Sequence, residues 1–328
     1  MNHQNRAQGR DHGGDLDRAR AAFGGDDWID LSTGINRDPY PLPDLPGRVW
    51  RDLPDRNAQA ALVAAAAGCF GCAPGQVLAL AGASAAIQLV PGLRPAGRAA
   101  VLWPSYNEHG AALAAADWQV GHVQDIRQMA GAGLAVVVNP NNPDGRCFAP
   151  ETLRDLARQV GLLVVDESFA DPRPDLTIAA DIPDNTLVLR SFGKFWGLAG
   201  LRLGFALGAP GLLAQLAERA GPWAVSGPAL AIGAQALADR DWHGDTVTQL
   251  SESALRMDQF ALRAGWQLVG GAHLFRLYRT ADAAQTQTAL ARHRIWSRIF
   301  PYSSHWLRLG LPGNRDEWDR VRAAFEAL

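Results

Sequence analysis

The chain has few cysteines, and this shortage excludes cysteine-built frameworks. Its 328 residues include three cysteines, of which Cys69 and Cys72 form a single CxxC motif in AAAAGCFGC. Because no second cysteine pair accompanies this motif, it predicts neither a zinc site nor a disulfide framework. We expect both thiols to act as small, buried apolar groups, and we expect no metal.

Long apolar runs and excess charge are also lacking. No segment approaches the roughly 20 uninterrupted apolar residues that a membrane-spanning helix needs. The opening residues, MNHQNRAQGRDHGG, hold no apolar stretch of the kind found in signal peptides. The formal net charge of -2 favours neither nucleic acid nor an anionic membrane as a partner. We therefore expect a cytoplasmic protein.

Six short apolar runs alternate with helical stretches, which indicates an α/β fold with a mostly parallel sheet covered by helices. These runs are QVLALAG, RAAVLW, LAVVVN, GLLVVDE, NTLVLRS and LRLGFAL. We predict a large domain over residues 45–220 and a smaller α+β C-terminal domain over residues 221–328. Residues 1–44 would form an N-terminal arm that is partly integrated into the small domain.

Ligands of parallel α/β sheets bind beyond the carboxyl ends of the strands, so the residues that follow each run are candidates for a site. Ala83 and Ser84 follow VLAL at the start of a predicted helix, where a phosphate group is favoured. Tyr106 follows AVLW and offers a ring for a flat heterocycle, and Asn142 follows LAVVV and offers an amide donor. Taken singly, each also fits an ordinary turn or a packed rim residue.

Two further strand ends carry the most chemistry. Asp166 follows GLLVV, and a carboxylate at the end of a buried strand needs a cationic or donor partner, which a protonated pyridine nitrogen would provide. The segment SFGKFWGLAGLRLG follows NTLVLR and brings Ser191, Lys194 and Arg202 into apolar, glycine-rich surroundings. The lysine suits a Schiff base or a general base, and the serine and arginine suit a phosphate. A lone lysine is ordinarily a surface residue, but five strand ends in succession favour a cofactor site.

These motifs resemble the fold-type I pyridoxal-5′-phosphate (PLP) aminotransferase superfamily, in its histidinol-phosphate aminotransferase branch. The resemblance rests on NPNNPDG, on VVDES with 24 residues from Asn142 to Asp166, on SFGK, and on an arginine eight residues after the lysine. It implies two catalytic residues: Lys194 forms the Schiff base with PLP, and Asp166 holds the proton of the pyridine nitrogen. Asn142 would bond the ring 3′-oxygen and Tyr106 would stack on the ring. The residues implied for the cofactor phosphate are Ala83, Ser84, Ser191 and Arg202.

The two ends of the chain resemble one group within this branch. DHGGDLDRARAAFG followed by WIDLSTGIN is similar to the opening of threonine-phosphate decarboxylases, and RIFPYSSHWLRLGLP is similar to their C-terminal region. Arg298 and Arg308 would bind the anionic groups of the substrate, because bidentate arginine suits both carboxylate and phosphate, although both also fit ordinary surface charge. The other residues implied for the substrate pocket are His12, Gly13, Gly34 and Asn142.

Two positions depart from the pattern of the superfamily. Phe169 stands where a tyrosine often bonds the 3′-oxygen of the cofactor, although phenylalanine is compatible with the decarboxylase group. Leu53, in LPDR, stands where a YPDP segment places a tyrosine against the cofactor phosphate of the neighbouring subunit. One phosphate donor of the expected homodimer is therefore absent.

The orientation of the substrate decides the reaction, because PLP activates the Cα bond that lies perpendicular to its ring. The resemblance implies decarboxylation of L-threonine O-3-phosphate, a small phosphorylated amino acid, to (R)-1-amino-2-propanol O-2-phosphate and CO₂ in cobalamin biosynthesis. Transamination of histidinol phosphate or a related phospho-substrate is the alternative. A catalytically silent, ligand-sensing module is a more distant one, which the intact lysine and aspartate oppose.

Overall fold

The computed structural model describes residues 12–328 of the chain. The α-helices of this part are α1 (Leu16–Phe23), α2 (Gly47–Arg51), α3 (Arg56–Phe70), α4 (Ala83–Leu89), α5 (Asn107–Ala115), α6 (Pro150–Ala157), α7 (Phe192–Phe195), α8 (Pro210–Ala220), α9 (Gly227–Ala238), α10 (Arg240–Arg263), α11 (Ala283–Arg292) and α12 (Arg315–Glu326). The strands are β1 (Ile29–Asp30), β2 (Val77–Leu80), β3 (Arg98–Leu102), β4 (Gln119–Val123), β5 (Leu134–Val138), β6 (Leu163–Asp166), β7 (Thr186–Ser191), β8 (Gly204–Gly208), β9 (Gln267–Ala272), β10 (Phe275–Arg279), β11 (Ile295–Trp296), β12 (Arg298–Phe300) and β13 (Ser303–Gly310). None of these helices is both long enough and apolar enough to cross a membrane.

The chain divides into two compact units. The larger unit comprises Ile35–Glu252 and Gly270–Leu274, and the smaller one comprises the described residues up to Gly34 together with Ser253–Val269 and Phe275–Leu328. Helix α9 packs along α3, and residues 221–252 belong to the larger unit. The predicted domains were 1–44, 45–220 and 221–328, so the boundaries of the two units fall at other positions. The predicted domain boundaries stay a prediction.

A seven-stranded sheet in the order β2-β8-β7-β6-β5-β3-β4 forms the larger unit. Strand β8 runs antiparallel to both β2 and β7, and the other neighbours pair in parallel. All six strands predicted from apolar runs are present, which confirms the mostly parallel α/β fold. Strand β4 was not predicted, because it lies at the sheet edge and its sequence QVGHV lacks a continuous apolar run.

The core of the larger unit explains why the apolar runs become strands. Leu134, Val136, Val164 and Leu187 are almost completely buried in one cluster between sheet and helices. Strands of this kind must be covered on both faces, which is why their sequences are apolar rather than alternating. The polar residues that end these strands are therefore placed at one edge of the sheet.

In the smaller unit, β13 pairs antiparallel with both β10 and β12, and β1 pairs in parallel with β11. The segments LFRLYR and HWLRLGL form most of β10 and β13, in the C-terminal part that was predicted as α+β. Trp28 and Trp296 pack edge to face with ring centroids 6.1 Å apart and anchor α1 on this unit. Strands β1, β11 and β12 were not predicted, because two or three residues carry no detectable period.

Candidate active site

A cavity opens in the larger unit at the carboxyl ends of β5, β6 and β7. Its lining contains every residue that the sequence predicted for the cofactor. These residues are Ala83, Ser84, Tyr106, Asn142, Asp166, Ser191, Lys194 and Arg202. The structure therefore brings together side chains that are spread over more than a hundred positions of the sequence, and the role of each stays a prediction.

Asp166 ends β6 and is buried, with two neighbours that hold its carboxylate. Oδ2 lies 2.7 Å from Nε2 of His109, and Oδ1 accepts hydrogen bonds from the backbone amide (2.9 Å) and the hydroxyl (2.5 Å) of Ser168. Burial alone would raise the pKa of Asp166, but the hydrogen bond and charge of His109, together with Ser168, hold that pKa below its ordinary value. An ionised carboxylate at this depth is suited to partner a cationic ring nitrogen.

His109 and Ser168 were missed by the sequence analysis. His109 is buried on α5 and stands three residues after Tyr106, and the two rings meet edge to face with centroids 6.1 Å apart. A histidine one helical turn after an aromatic residue at a strand end was a signal, but its partner Asp166 lies 57 positions away. Sequence spacing alone cannot show such a contact.

One face of the cavity is built on glycine. Gly82 has φ 85° at the turn between β2 and α4, and a Cβ there would lie 2.9 Å from Nη2 of Arg202. A Cβ on Gly204 of β8 would overlap the amide nitrogen of Ala83. Arg202 itself adopts the left-handed region at φ 53°, which costs a non-glycine residue roughly 1–2 kcal/mol. Small residues and a strained arginine therefore leave a cationic, amide-lined recess.

Lys194 lies on α7 and faces the cavity, with its Nζ 5.7 Å from the centre of the Phe169 ring. Its backbone oxygen accepts a hydrogen bond of 2.9 Å from the amide of Asn36. It is also the only lysine among the 31 lysine and arginine residues of the sequence, a signal that motif analysis had not used. The cavity therefore holds the single lysine side chain of the chain.

The turn that carries Asn142 is fixed from several sides. The amide group of Asn141 donates to the backbone oxygen of Pro104 at 2.8 Å and to Asp144 at 2.7 Å. Gly145, at φ 72°, lies so close to Gly271 that a Cβ would overlap its backbone. Asn142 is half-buried and lines the cavity.

The residues predicted for the substrate lie in the smaller unit, with the exception of Asn142. Arg298 and Arg308 are cross-strand partners on β12 and β13, and Arg308 is buried. Burial and the nearby charge of Arg298 lower the pKa of Arg308 to about 10. Two guanidinium groups this close favour an anion between them. The interpretation of Arg308 as ordinary surface charge is excluded by its burial.

The glycines of the N-terminal motif belong to the same part of the smaller unit. Nη2 of Arg308 donates to the backbone oxygen of Ser32 at 2.6 Å, and a Cβ on Gly13 would overlap that same oxygen. Gly34 is buried two residues further on, and His12 is exposed beside Gly13. The structure thus brings Gly13, Ser32 and Arg308 together.

Comparisons with known proteins agree with this arrangement. The family model described as aminotransferase class I and II matches residues 26–325. A threonine-phosphate decarboxylase of Sinorhizobium sp is 44% identical over 313 residues, which cover 92% of each chain. The threonine-phosphate decarboxylase of Pseudomonas aeruginosa is 40% identical, and the match covers 96% of each chain.

Among solved structures, the histidinol-phosphate aminotransferase of Sinorhizobium meliloti in complex with pyridoxal-5′-phosphate has the same fold. Its TM-score is 0.79 at 20% sequence identity, and the match covers 95% of this chain and 94% of that one. The resemblance inferred from NPNNPDG, VVDES and SFGK is therefore confirmed. With a family model that spans most of its length, the chain belongs to the aminotransferase class I and II family.

Proposed function

We propose that the protein is a PLP-dependent decarboxylase that converts L-threonine O-3-phosphate to (R)-1-amino-2-propanol O-2-phosphate and CO₂ in cobalamin biosynthesis. The observation that carries this proposal is the similarity to two threonine-phosphate decarboxylases over more than nine-tenths of the chain. The intact cavity, with its lysine and buried carboxylate, agrees with it and opposes a silent module.

The residues of the cavity fit PLP group by group. The part of the cavity lined by Gly82, Ala83 and Arg202 suits a phosphate. The ionised Asp166 suits a protonated pyridine nitrogen, and Asn142 suits the ring 3′-oxygen. A flat ring would meet the side chain of Tyr106. A phenylalanine at position 169 leaves the 3′-oxygen without a tyrosine hydroxyl.

When bound through Lys194, PLP accepts electrons from a bond to the substrate Cα. The chain itself must select that bond and manage the protons. Asp166 keeps the ring nitrogen protonated, because a carboxylate fixed by His109 and Ser168 stabilises the positive charge beside it. The amine of Lys194, once released by the substrate, delivers a proton to Cα in place of the lost CO₂.

The guanidinium groups of the smaller unit are assigned to the anionic ends of the substrate. Arg308 is buried and held by Ser32, so it offers a fixed direction for a carboxylate. Arg298 is half-buried beside it and, with His12, is assigned to the phosphate. Neutralising both anions is required, because an unpaired charge would be costly to desolvate.

A homodimer in the cytoplasm is part of the same proposal. Leu42, Trp50, Leu53 and Trp223 of the larger unit are large apolar side chains that are more than half exposed, and a neighbouring subunit would cover them. Gly227, at the start of α9, lies against the backbone of Val49. Trp50 and Trp223 are near these two residues in the sequence. Sedimentation at several concentrations checks the assembly: a fully active monomer would contradict it.

The function is tested by presenting the purified, PLP-loaded enzyme with two substrates. With L-threonine O-3-phosphate alone, we expect CO₂ release without any amino acceptor. With histidinol phosphate and 2-oxoglutarate, we expect little glutamate. Glutamate formation that depends on 2-oxoglutarate, without CO₂, would instead establish an aminotransferase.

A further inference from the structure

Three ionisable side chains form a buried network directly behind the cavity. Arg190 precedes Ser191 on β7, Glu167 follows Asp166, and Asp171 lies four residues later. Nη1 of Arg190 donates to Oε2 of Glu167 at 2.9 Å, and Nη2 donates to Oδ1 of Asp171 at 2.8 Å. The three side chains are at most 6% exposed. One guanidinium therefore joins the end of β7 to the segment that follows β6.

The network sits one residue away from cavity residues on both strands. Side chains alternate across a strand, so Ser191 lines the cavity while Arg190 points to the opposite face. In the same way, Glu167 stands between Asp166 and Ser168, which both line the cavity. The backbone amide of Glu167 also donates to Leu189 of β7 at 2.9 Å. The network is therefore joined to the cavity residues through the adjacent backbone of β6 and β7.

Stability alone does not account for such a network. A buried ion pair contributes little to folding, since apolar residues of similar volume often do as well. Glu167 nevertheless accepts three hydrogen bonds: one at Oε1 from the amide of Ile178, and two at Oε2, from Arg190 and from the hydroxyl of Thr177. Burial raises the pKa of Glu167, and Arg190 opposes this rise. What the network gains from this geometry is a fixed position.

We propose that Arg190 and Glu167 are positioning residues for Asp166. By joining the ends of β6 and β7 from behind, they hold the Asp166 carboxylate where it meets His109 and, on the proposed function, the ring nitrogen of the cofactor. Neither Arg190 nor Glu167 lines the cavity. Asp171 accepts the hydrogen bond from Nη2 of Arg190 and has no position next to Asp166 or Ser191 in the chain.

Two matched substitutions separate geometry from charge, because each neutralises one of the two carboxylates that pair with the guanidinium of Arg190. Glu167→Gln cannot keep all three hydrogen bonds, since its amide nitrogen must face either Ile178 or the pair Arg190 and Thr177. Asp171→Asn can keep its bond through Oδ1, because Oδ2 has no hydrogen-bond partner among residues 12–328. A positioning role predicts that the first change matters far more than the second.

The measurement is the imidazole ¹H–¹⁵N signal of His109 in ¹⁵N-histidine-labelled full-length protein, with and without PLP. The signal is assigned by its loss in His109→Gln. We expect Glu167→Gln to shift this signal and to lower kcat about tenfold with KM little changed. We expect Asp171→Asn to leave the signal in place.

An unshifted signal in Glu167→Gln, or an equal shift in both variants, would overturn the proposal. If Glu167→Gln does not fold, Thr177→Val is used instead, because it removes one hydrogen-bond donor to Oε2 of Glu167. The proposal then requires that Thr177→Val shifts the His109 signal. The readout without PLP does not depend on turnover. A failure of the decarboxylase proposal is therefore distinguishable from a failure of this one.

Discussion

Replacing Asp166 by asparagine tests the site at its most buried charge. In the folded protein, one oxygen accepts both bonds from Ser168 and the other meets Nε2 of His109 at 2.7 Å. Asparagine can keep the first oxygen and turn its amide nitrogen toward His109, provided that Nε2 of the imidazole accepts the hydrogen bond. We therefore expect Asp166→Asn to fold, with a loss of about 1–3 kcal/mol for the charge-assisted bonds.

This stability difference has a defined pH dependence. The pKa of Asp166 is lower in the folded protein than its ordinary value, so its ionised form stabilises the fold at pH above that ordinary value, near ~3.9. The contribution is lost as the pH falls through the folded pKa. The difference in unfolding free energy between wild type and Asp166→Asn should therefore be constant near neutral pH and shrink below about pH 4.

The catalytic cost should be at least as large as the cost in stability. A neutral amide cannot stabilise a protonated ring nitrogen, and losing one preorganised electrostatic partner costs about 100- to 1,000-fold in kcat. The assay combines turnover of L-threonine O-3-phosphate with the visible absorbance of bound PLP, which should persist. Asp181→Asn, an isosteric change at an exposed carboxylate paired with Arg154, is the control. Near-normal turnover of Asp166→Asn with bound PLP would refute the assigned role.

The remaining predictions concern the lysine, the phosphate of the cofactor and the phosphate of the substrate. Borohydride reduction of the PLP-loaded protein should fix the cofactor to the peptide that contains Lys194, as mass spectrometry would show. A protein that stays unlabelled would exclude the Schiff base. Gly204→Ala should weaken PLP binding in an absorbance titration, because its Cβ would displace the backbone of Gly82 and Ala83, which line the cavity, whereas Gly75→Ala has open space and should not. Arg298→Ala should raise KM about 30- to 1,000-fold for phosphothreonine and much less for threonine, and equal effects on both would exclude phosphate recognition.

The strand ends could be predicted from the sequence because two local signals coincide there. Continuous apolar runs mark buried parallel strands, and the residue types that follow them are chemically distinct. Asp166, Asn142 and Lys194 were placed in this way, and the structure gathers them in one cavity. Local pattern was sufficient for the large sheet because each of its central strands is buried on both faces.

The residues that fix these side chains could not be predicted in the same way. His109 contacts Asp166 across 57 positions, and Arg190 contacts Glu167 across 23, so their partners depend on how β6, β7 and α5 pack. The edge strand β4 lacks a continuous apolar run, and residues 221–252 belong to the larger unit, where α9 packs on α3. These features follow from tertiary contacts that no single stretch of sequence contains.

The central claim is that the enzyme breaks the bond between Cα and the carboxylate of a phosphorylated amino acid. The most direct measurement follows L-threonine O-3-phosphate labelled with ¹³C in its carboxylate by NMR, in D₂O and without any 2-oxo acid. We expect the label to appear entirely as carbon dioxide and bicarbonate, with an equal amount of 1-amino-2-propanol phosphate carrying one deuterium on the amine-bearing carbon. Label that stays in a carboxylate, while deuterium exchanges into Cα or the amino group is transferred, would contradict it.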